Sequence, residues 1–165
     1  MLPGTTLRLL SNADSAKAVD LILPIQRIEF GVPITVEDQP DLLDIGRFYN
    51  EPGGGFWGAF NDGELIGTIA LINAGHNTGV IRKMFVKQEF RGKTHGIAQQ
   101  LITDLIAFAR EKSLTDLYLG SVDQMKAAHR FYERNGFQRI SPETLPAHFP
   151  RMALDTIFYH LSLDK

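Results

Sequence analysis

The chain contains no cysteine among its 165 residues. That excludes a thiol nucleophile, a disulfide framework and thiolate metal sites, and it suits a reducing compartment. Long hydrophobic runs are also missing: none approaches the ~18 apolar residues of a membrane span. The opening Met1-Leu2-Pro3-Gly4-Thr5-Thr6 has neither the basic nor the long apolar region of a signal peptide. Charge of one sign is scarce, with 17 Lys and Arg against 19 Asp and Glu and a net charge of -2. A whole-chain basic footprint for nucleic acid is therefore absent. These absences lead to the expectation of a cytoplasmic protein with no membrane and no nucleic-acid partner. One local basic cluster stands out: Arg82, Lys83, Lys87, Arg91 and Lys93.

What is present is an ordinary globular composition, 44% hydrophobic and 22% charged. The length suits a single domain over residues 1–165, with room for a real core. Residues 6–10 read as a first strand. Ser11 and Asp14 then form a capping-box pair, and Ala16, Val19, Leu23 and Arg27 share one face of a following helix. Pro24 kinks that helix or ends it early. Glu29 to Gln39 reads as a loop and Asp41 to Tyr49 as a short helix. Residues 56–60 and 64–73 are apolar strands joined by Asn61-Asp62-Gly63, a hairpin signal. A third strand covers 79–87. Apolar Ile97, Leu101, Leu105, Phe108 and Ala109 mark a helix over 96–112. A strand at 115–119 and a helix capped by Asp123 come next, the helix closed by Asn135-Gly136. Strands at 137–140 and 155–163 complete the order. The crossover from the Val80 strand to the Thr115 strand implies a parallel pair.

Two stretches carry chemistry. The turn Arg91-Gly92-Lys93-Thr94-His95-Gly96-Ile97-Ala98 follows a strand and opens a helix. Amides at a helix N-terminus and glycines that permit close approach suit a phosphate group. Alone, such a turn is equally an ordinary strand-to-helix connection. In the second stretch, Met125, Ala128 and Tyr132 fall on one helix face, with Tyr132 four residues before Gly136-Phe137.

Together these stretches resemble the acetyl-CoA-binding half of GNAT-superfamily N-acetyltransferases, whose signature is Gln/Arg-x-x-Gly-x-Gly/Ala. Two registers fit, one led by Arg91 and one by Lys93. Helical phase favours Lys93 with Gly96 and Ala98, because Ile97 and Leu101 are then buried. The resemblance implies an α/β fold with a mixed, mostly antiparallel, splayed sheet flanked by helices. It implies acetyl-CoA as co-substrate, held at Arg91 to Ala98, at the backbone of Met84, Phe85 and Val86, and along Ala128 and Tyr132. It implies acetyl transfer to a primary amine of a small molecule or peptide by direct attack in a ternary complex, with a backbone amide near Phe85 polarising the carbonyl. Tyr132 is the implied acid for the departing thiolate. Met125 stands where relatives often carry Asn. That departure keeps open an alternative: a non-catalytic acyl-CoA-binding or interaction module of the same fold.

An attacking amine must first be neutral. The acids and bases at hand are Glu29, Glu37, Asp38, Asp41, His76 and His129. Glu29 is the first choice, because it begins the loop Phe30-Gly31-Val32-Pro33 where such enzymes form their acceptor pocket. His76 reads as a turn residue and His129 as exposed. Alternation puts Val80, Arg82, Met84 and Val86 on one strand face and Ile81, Lys83 and Phe85 on the other. The proline-bearing segment 142–158 reads as an ordered apolar loop that walls the acceptor site or forms a homodimer surface.

Overall fold

The computed structural model describes residues 1–163. Among the described residues seven strands form one sheet in the order β1-β2-β3-β4-β5-β7-β6. They are β1 (Thr5–Leu9), β2 (Gly55–Asn61), β3 (Glu64–Gly75), β4 (Thr78–Val86), β5 (Asp116–Ser121), β6 (Gln138–Ile140) and β7 (Ile157–Ser162). All neighbours are antiparallel except β4 and β5, the expected parallel pair. Three helices flank the sheet: α1 (Ser15–Pro24), α2 (Ile97–Glu111) and α3 (Lys126–Arg134). Among the described residues no helix is long and apolar enough to cross a membrane.

The tight hairpins follow from their turn residues. Asp62 and Gly63 both take positive φ between β2 and β3, and His76 and Asn77 do the same between β3 and β4. Such turns match the twist of the strands they join. The Ser11–Asp14 capping box is present, but it caps one tight turn, Asn12–Asp14, ahead of α1. The buried face of α1 is Ala18, Leu21 and Ile22, continued by Ile25; Ala16 and Arg27 are exposed. Pro24 is the last residue of the α-helix, so the helix ends at the proline, one of the two outcomes expected. Its missing N–H leaves the ladder one donor short, and the chain widens into a turn over Ile25–Glu29, closed by the Phe30 amide on the Ile25 carbonyl at 3.1 Å. The helix expected over Asp41–Tyr49 is two separate turns, Pro40–Leu43 and Gly46–Asn50, parted by the non-helical backbone of Asp44.

The core lies on both faces of the sheet. One face buries Ile69, Leu71 and Ile81 under Leu101, Ile102 and Leu105 of α2. Each such side chain contributes roughly 1.5–3 kcal/mol by leaving water. The other face buries Phe56, Phe60 and Ala70 under α1 and the following turns. The site lies where this two-faced packing is interrupted, between β4 and β5.

Candidate active site

β4 and β5 pair only from Thr78↔Asp116 to Ile81↔Leu119. Beyond that point β4 continues to Val86 with its β5-facing edge unpaired, so the sheet opens into a fork. The pairing of β4 with β3 also breaks here, between Thr68 and Ala70. Lys83 sits in the break with a φ of 55°, in the left-handed region, and its carbonyl accepts from Thr68 Oγ1 at 2.7 Å. This bulge corrects the alternation expected for the strand. Met84 and Val86 pack with Ile81 on the α2 side, whereas Phe85 packs on the α1 side. One inserted residue reverses every side chain beyond it.

A cavity of about 480 Å³ lies on the α2 side of the fork. Met84, Phe85 and Val86 form one wall, Arg91, Gly92, Lys93, Gly96 and Ala98 the floor, and Ala128 the opposite wall. Gly96 caps α2 with a φ of 68°. The first amide bonded back is Gln100, onto the Gly96 carbonyl at 3.1 Å, so those of Ile97, Ala98 and Gln99 have no partner within the helix. A side chain at Gly92 would meet nothing within 4 Å, so the backbone there is open to solvent. These features fit a pyrophosphate and an extended arm. The lining by Lys93, Gly96 and Ala98 suits the second signature register. Thr94 is exposed, His95 turns its carbonyl to the Leu2 amide, and Ile97 is buried in the core; none of the three lines the cavity.

A second cavity, about 490 Å³, lies on the other side of the fork and shares Met84, Phe85 and Met125 with the first. Tyr132 of α3 lines it, in place because the Phe137 amide bonds back to the Tyr132 carbonyl at 3.1 Å around Gly136. The Tyr132 ring packs against Phe137 and Tyr159. Burial pushes its phenol well above the usual tyrosine range, with Asp155 and Tyr159 adding to the rise and no hydrogen bond contributing. Val32, Pro33 and Ile34 close one end of the cavity, and Arg151 to Asp155 of the long connection close the other.

Glu29 stands outside this cavity. Arg91 grips both its oxygens, one at 2.7 Å, and also donates Nε to the Val86 carbonyl at 2.7 Å. The pair therefore fastens the end of the wide turn to the start of the glycine-bearing turn ahead of α2. Asp38 does line the cavity, but its carboxylate accepts from the Thr35 amide and hydroxyl, which hold it below the usual range. Asp41 is buried, 2.5 Å from the Tyr49 hydroxyl and 3.6 Å from Lys83 Nζ. His76 is the expected turn residue. His129 is buried rather than exposed, with Nε2 3.0 Å from Ser121 Oγ, and burial lowers its pKa. Asp123 does not cap α3: Met125 holds the cap position, and Asp123 pairs with Lys126 at 2.8 Å. The side chains that sequence reading missed are Arg82 and Lys83 as cavity residues, Arg151, and Asp155. β7 begins at Ile157 rather than Asp155, which leaves Asp155 in a turn, its amide on the Met152 carbonyl.

A fork between two parallel strands, facing the head of a helix, is the frame on which one enzyme class is built. The chain belongs to the acetyltransferase (GNAT) family, whose model matches residues 19–137; this is the class of acetyl-CoA-dependent N-acetyltransferases. Among curated proteins the chain is similar to N-acetylaspartate synthetase of Danio rerio, 35% identical over 126 residues that make up 73% of this chain and 44% of that protein. The chain spans less than half the length of such relatives. Among solved structures it is similar to a GNAT-family acetyltransferase of Staphylococcus aureus Mu50, with a TM-score of 0.93, 33% identity, and 97% of this chain and 99% of that one covered. It shares the fold of PaiA N-acetyltransferase from Thermoplasma acidophilum, solved in complex with coenzyme A: TM-score 0.74, 20% identity, 96% and 98% covered.

Proposed function

We propose that this protein transfers an acetyl group from acetyl-CoA to the primary amine of a small acceptor that carries carboxylates, an amino acid of the aspartate kind. The observation that carries the acceptor class is the charge of the second cavity. Arg82, Lys83 and Arg151 all line it, against Asp38 and Asp155. Lys83 Nζ is nearly buried and is bonded to Gln39, and Arg82 is bonded to the Pro150 carbonyl, so Arg151 is the cation best placed for an incoming carboxylate, which its planar fork matches. The name N-acetylaspartate synthetase, borne by similar proteins, supports the same reading.

Bound acetyl-CoA supplies the activated acetyl group. The residues to hold it are the Gly96 turn, with its unpartnered helix amides, the open edge of β4, and Ala128, whose small side chain leaves room. An amide within Met84–Val86 polarises the acetyl carbonyl; in a site closed to water such a donor is worth more than in solution. Tyr132, held protonated by its burial, donates its hydroxyl toward the departing sulfur. Direct attack needs the amine on the acceptor side of the fork, where the cationic cavity lies.

The test is steady-state acetylation of L-aspartate, L-glutamate and ethanolamine by the wild type and by Arg151→Gln. A charge-assisted contact contributes about 1.5–3 kcal/mol, so the substitution raises KM for aspartate roughly 10- to 100-fold and leaves acetyl-CoA affinity unchanged. Equal use of ethanolamine and aspartate would contradict the acceptor class.

A further inference from the structure

Among the described residues, Asp155 is the carboxylate lining the second cavity whose side chain has no hydrogen-bond or ion-pair partner, Asp38 being held by Thr35. It follows the proline-bearing connection, whose Pro150 carbonyl accepts from Arg82 at 2.5 Å. Its neighbour Thr156 donates its amide to the Ser121 carbonyl at 3.0 Å. The two bonds fasten the segment across β4 and β5 and press Asp155 onto Gly120, the first residue of β5 beyond its last pairing with β4. A Cβ built at Gly120 would lie 2.4 Å from Asp155 Oδ2 and 2.9 Å from its Cγ. Glycine is thus what allows the carboxylate to lie over the mouth of the fork. From there it faces the acceptor cavity, which Tyr132 also lines.

We propose that Asp155 is the general base of the reaction, taking the proton from the acceptor's ammonium group before attack. The inference rests on the transferase reading above. The balance is simple. The ammonium N–H bond breaks and the Asp155 carboxyl O–H bond forms. The neutral nitrogen then forms the bond to the acetyl carbon as the carbon–sulfur bond breaks. The second proton leaving nitrogen is matched by the one that sulfur gains. One proton per turnover passes from Asp155 to water.

The surroundings suit this role. The charged and titratable groups facing Asp155 are Arg82 and Lys83 of β4, Arg151 of its own segment, Tyr132 of α3, and Asp38 across the cavity. Burial raises its carboxyl to about 6, against the opposing pull of the three cations. It is therefore ionised at neutral pH yet basic enough to accept a proton, the compromise expected of a base working near that pH. The other titratable group beside the fork is His129, whose pKa burial lowers and which reaches the cavity only through Ser121.

The experiment measures kcat/KM for L-aspartate from pH 5 to 10 for wild type, Asp155→Asn and His129→Gln, with acetyl-CoA affinity and melting temperature recorded for each. The expected wild-type profile rises through about pH 6 and then levels. In Asp155→Asn only the already neutral amine reacts, so the profile climbs without a plateau toward the pKa of the free amine. Activity at pH 7 is then about 10²- to 10³-fold lower, with acetyl-CoA affinity intact. His129→Gln keeps the plateau. An Asp155→Asn enzyme that keeps the plateau, or a His129→Gln enzyme that loses it, overturns the assignment while leaving the transferase reading standing. Absence of turnover by the wild type on any carboxylate-bearing amine, with acetyl-CoA bound, overturns both.

Discussion

Asp155 shows at the scale of one residue how a buried carboxylate acts against stability. Its carboxyl titrates near 3.8 when unfolded and at about 6 in the fold. Between these values the native state binds more protons than the unfolded state, so stability falls as pH rises through about 6. A shift of this size corresponds to about 3 kcal/mol. Asp155→Asn is therefore expected to be more stable than wild type at pH 8, by up to about 3 kcal/mol, with the difference gone at pH 4. Urea or thermal melts at the two pH values check this. A variant that is both more stable and less active cannot owe its loss of activity to unfolding. Nothing in the sequence marked Asp155: it falls in a segment read as strand, and its partner in space, Gly120, is far away along the chain. The place of Tyr132 beside a cavity was legible because a Tyr-x-x-x-Gly-Phe pattern ends a helix at a fixed distance from the residue. Glu29 was chosen for its place before a Gly/Pro loop. The loop does close one end of the second cavity, but Arg91 claims the carboxylate.

At the scale of elements, hairpins, helices and the parallel pair were readable because their causes are local. Asp62-Gly63 supplies positive φ, and α2 carries an unbroken apolar stripe. The bulge at Lys83 was not readable. No glycine marks it, and its left-handed backbone is imposed by the hydrogen bond to Thr68 and by packing on both faces. The error it causes is large: it exchanges the two faces of β4 beyond Ile81 and so hides Arg82 and Lys83 as cavity residues. The burial of His129 was missed for a related reason, since its partner Ser121 is brought by β5. The contact between β5 and the following connection yields its own prediction. Gly120→Val places side-chain atoms where Asp155 now lies and lifts the segment away. Acetylation of aspartate should fall by about 10²-fold, the lower bound for losing a positioned base. Acetyl-CoA affinity should hold, because Gly120 lines the second cavity and not the first. Joint loss of both would mean that the two cavities fail together.

At the scale of the whole molecule, the account rests on two cavities meeting at one fork in the sheet. One is open to a phosphate-bearing arm through the glycine turn and the head of α2. The other is lined by cations and an unpaired carboxylate. The order of the strands puts both at the point where β4 leaves β5, and no single segment of sequence contains that relation. The central claim is that the first cavity binds acetyl-CoA. It is tested by calorimetric titration of acetyl-CoA into the wild type and into Gly96→Trp. The account predicts saturable binding to the wild type and none to the variant, because a side chain at this left-handed position is strained and is driven against the Met1 backbone, which displaces the turn that presents the helix amides. Equal binding to both, or no binding to a folded wild type, would contradict it.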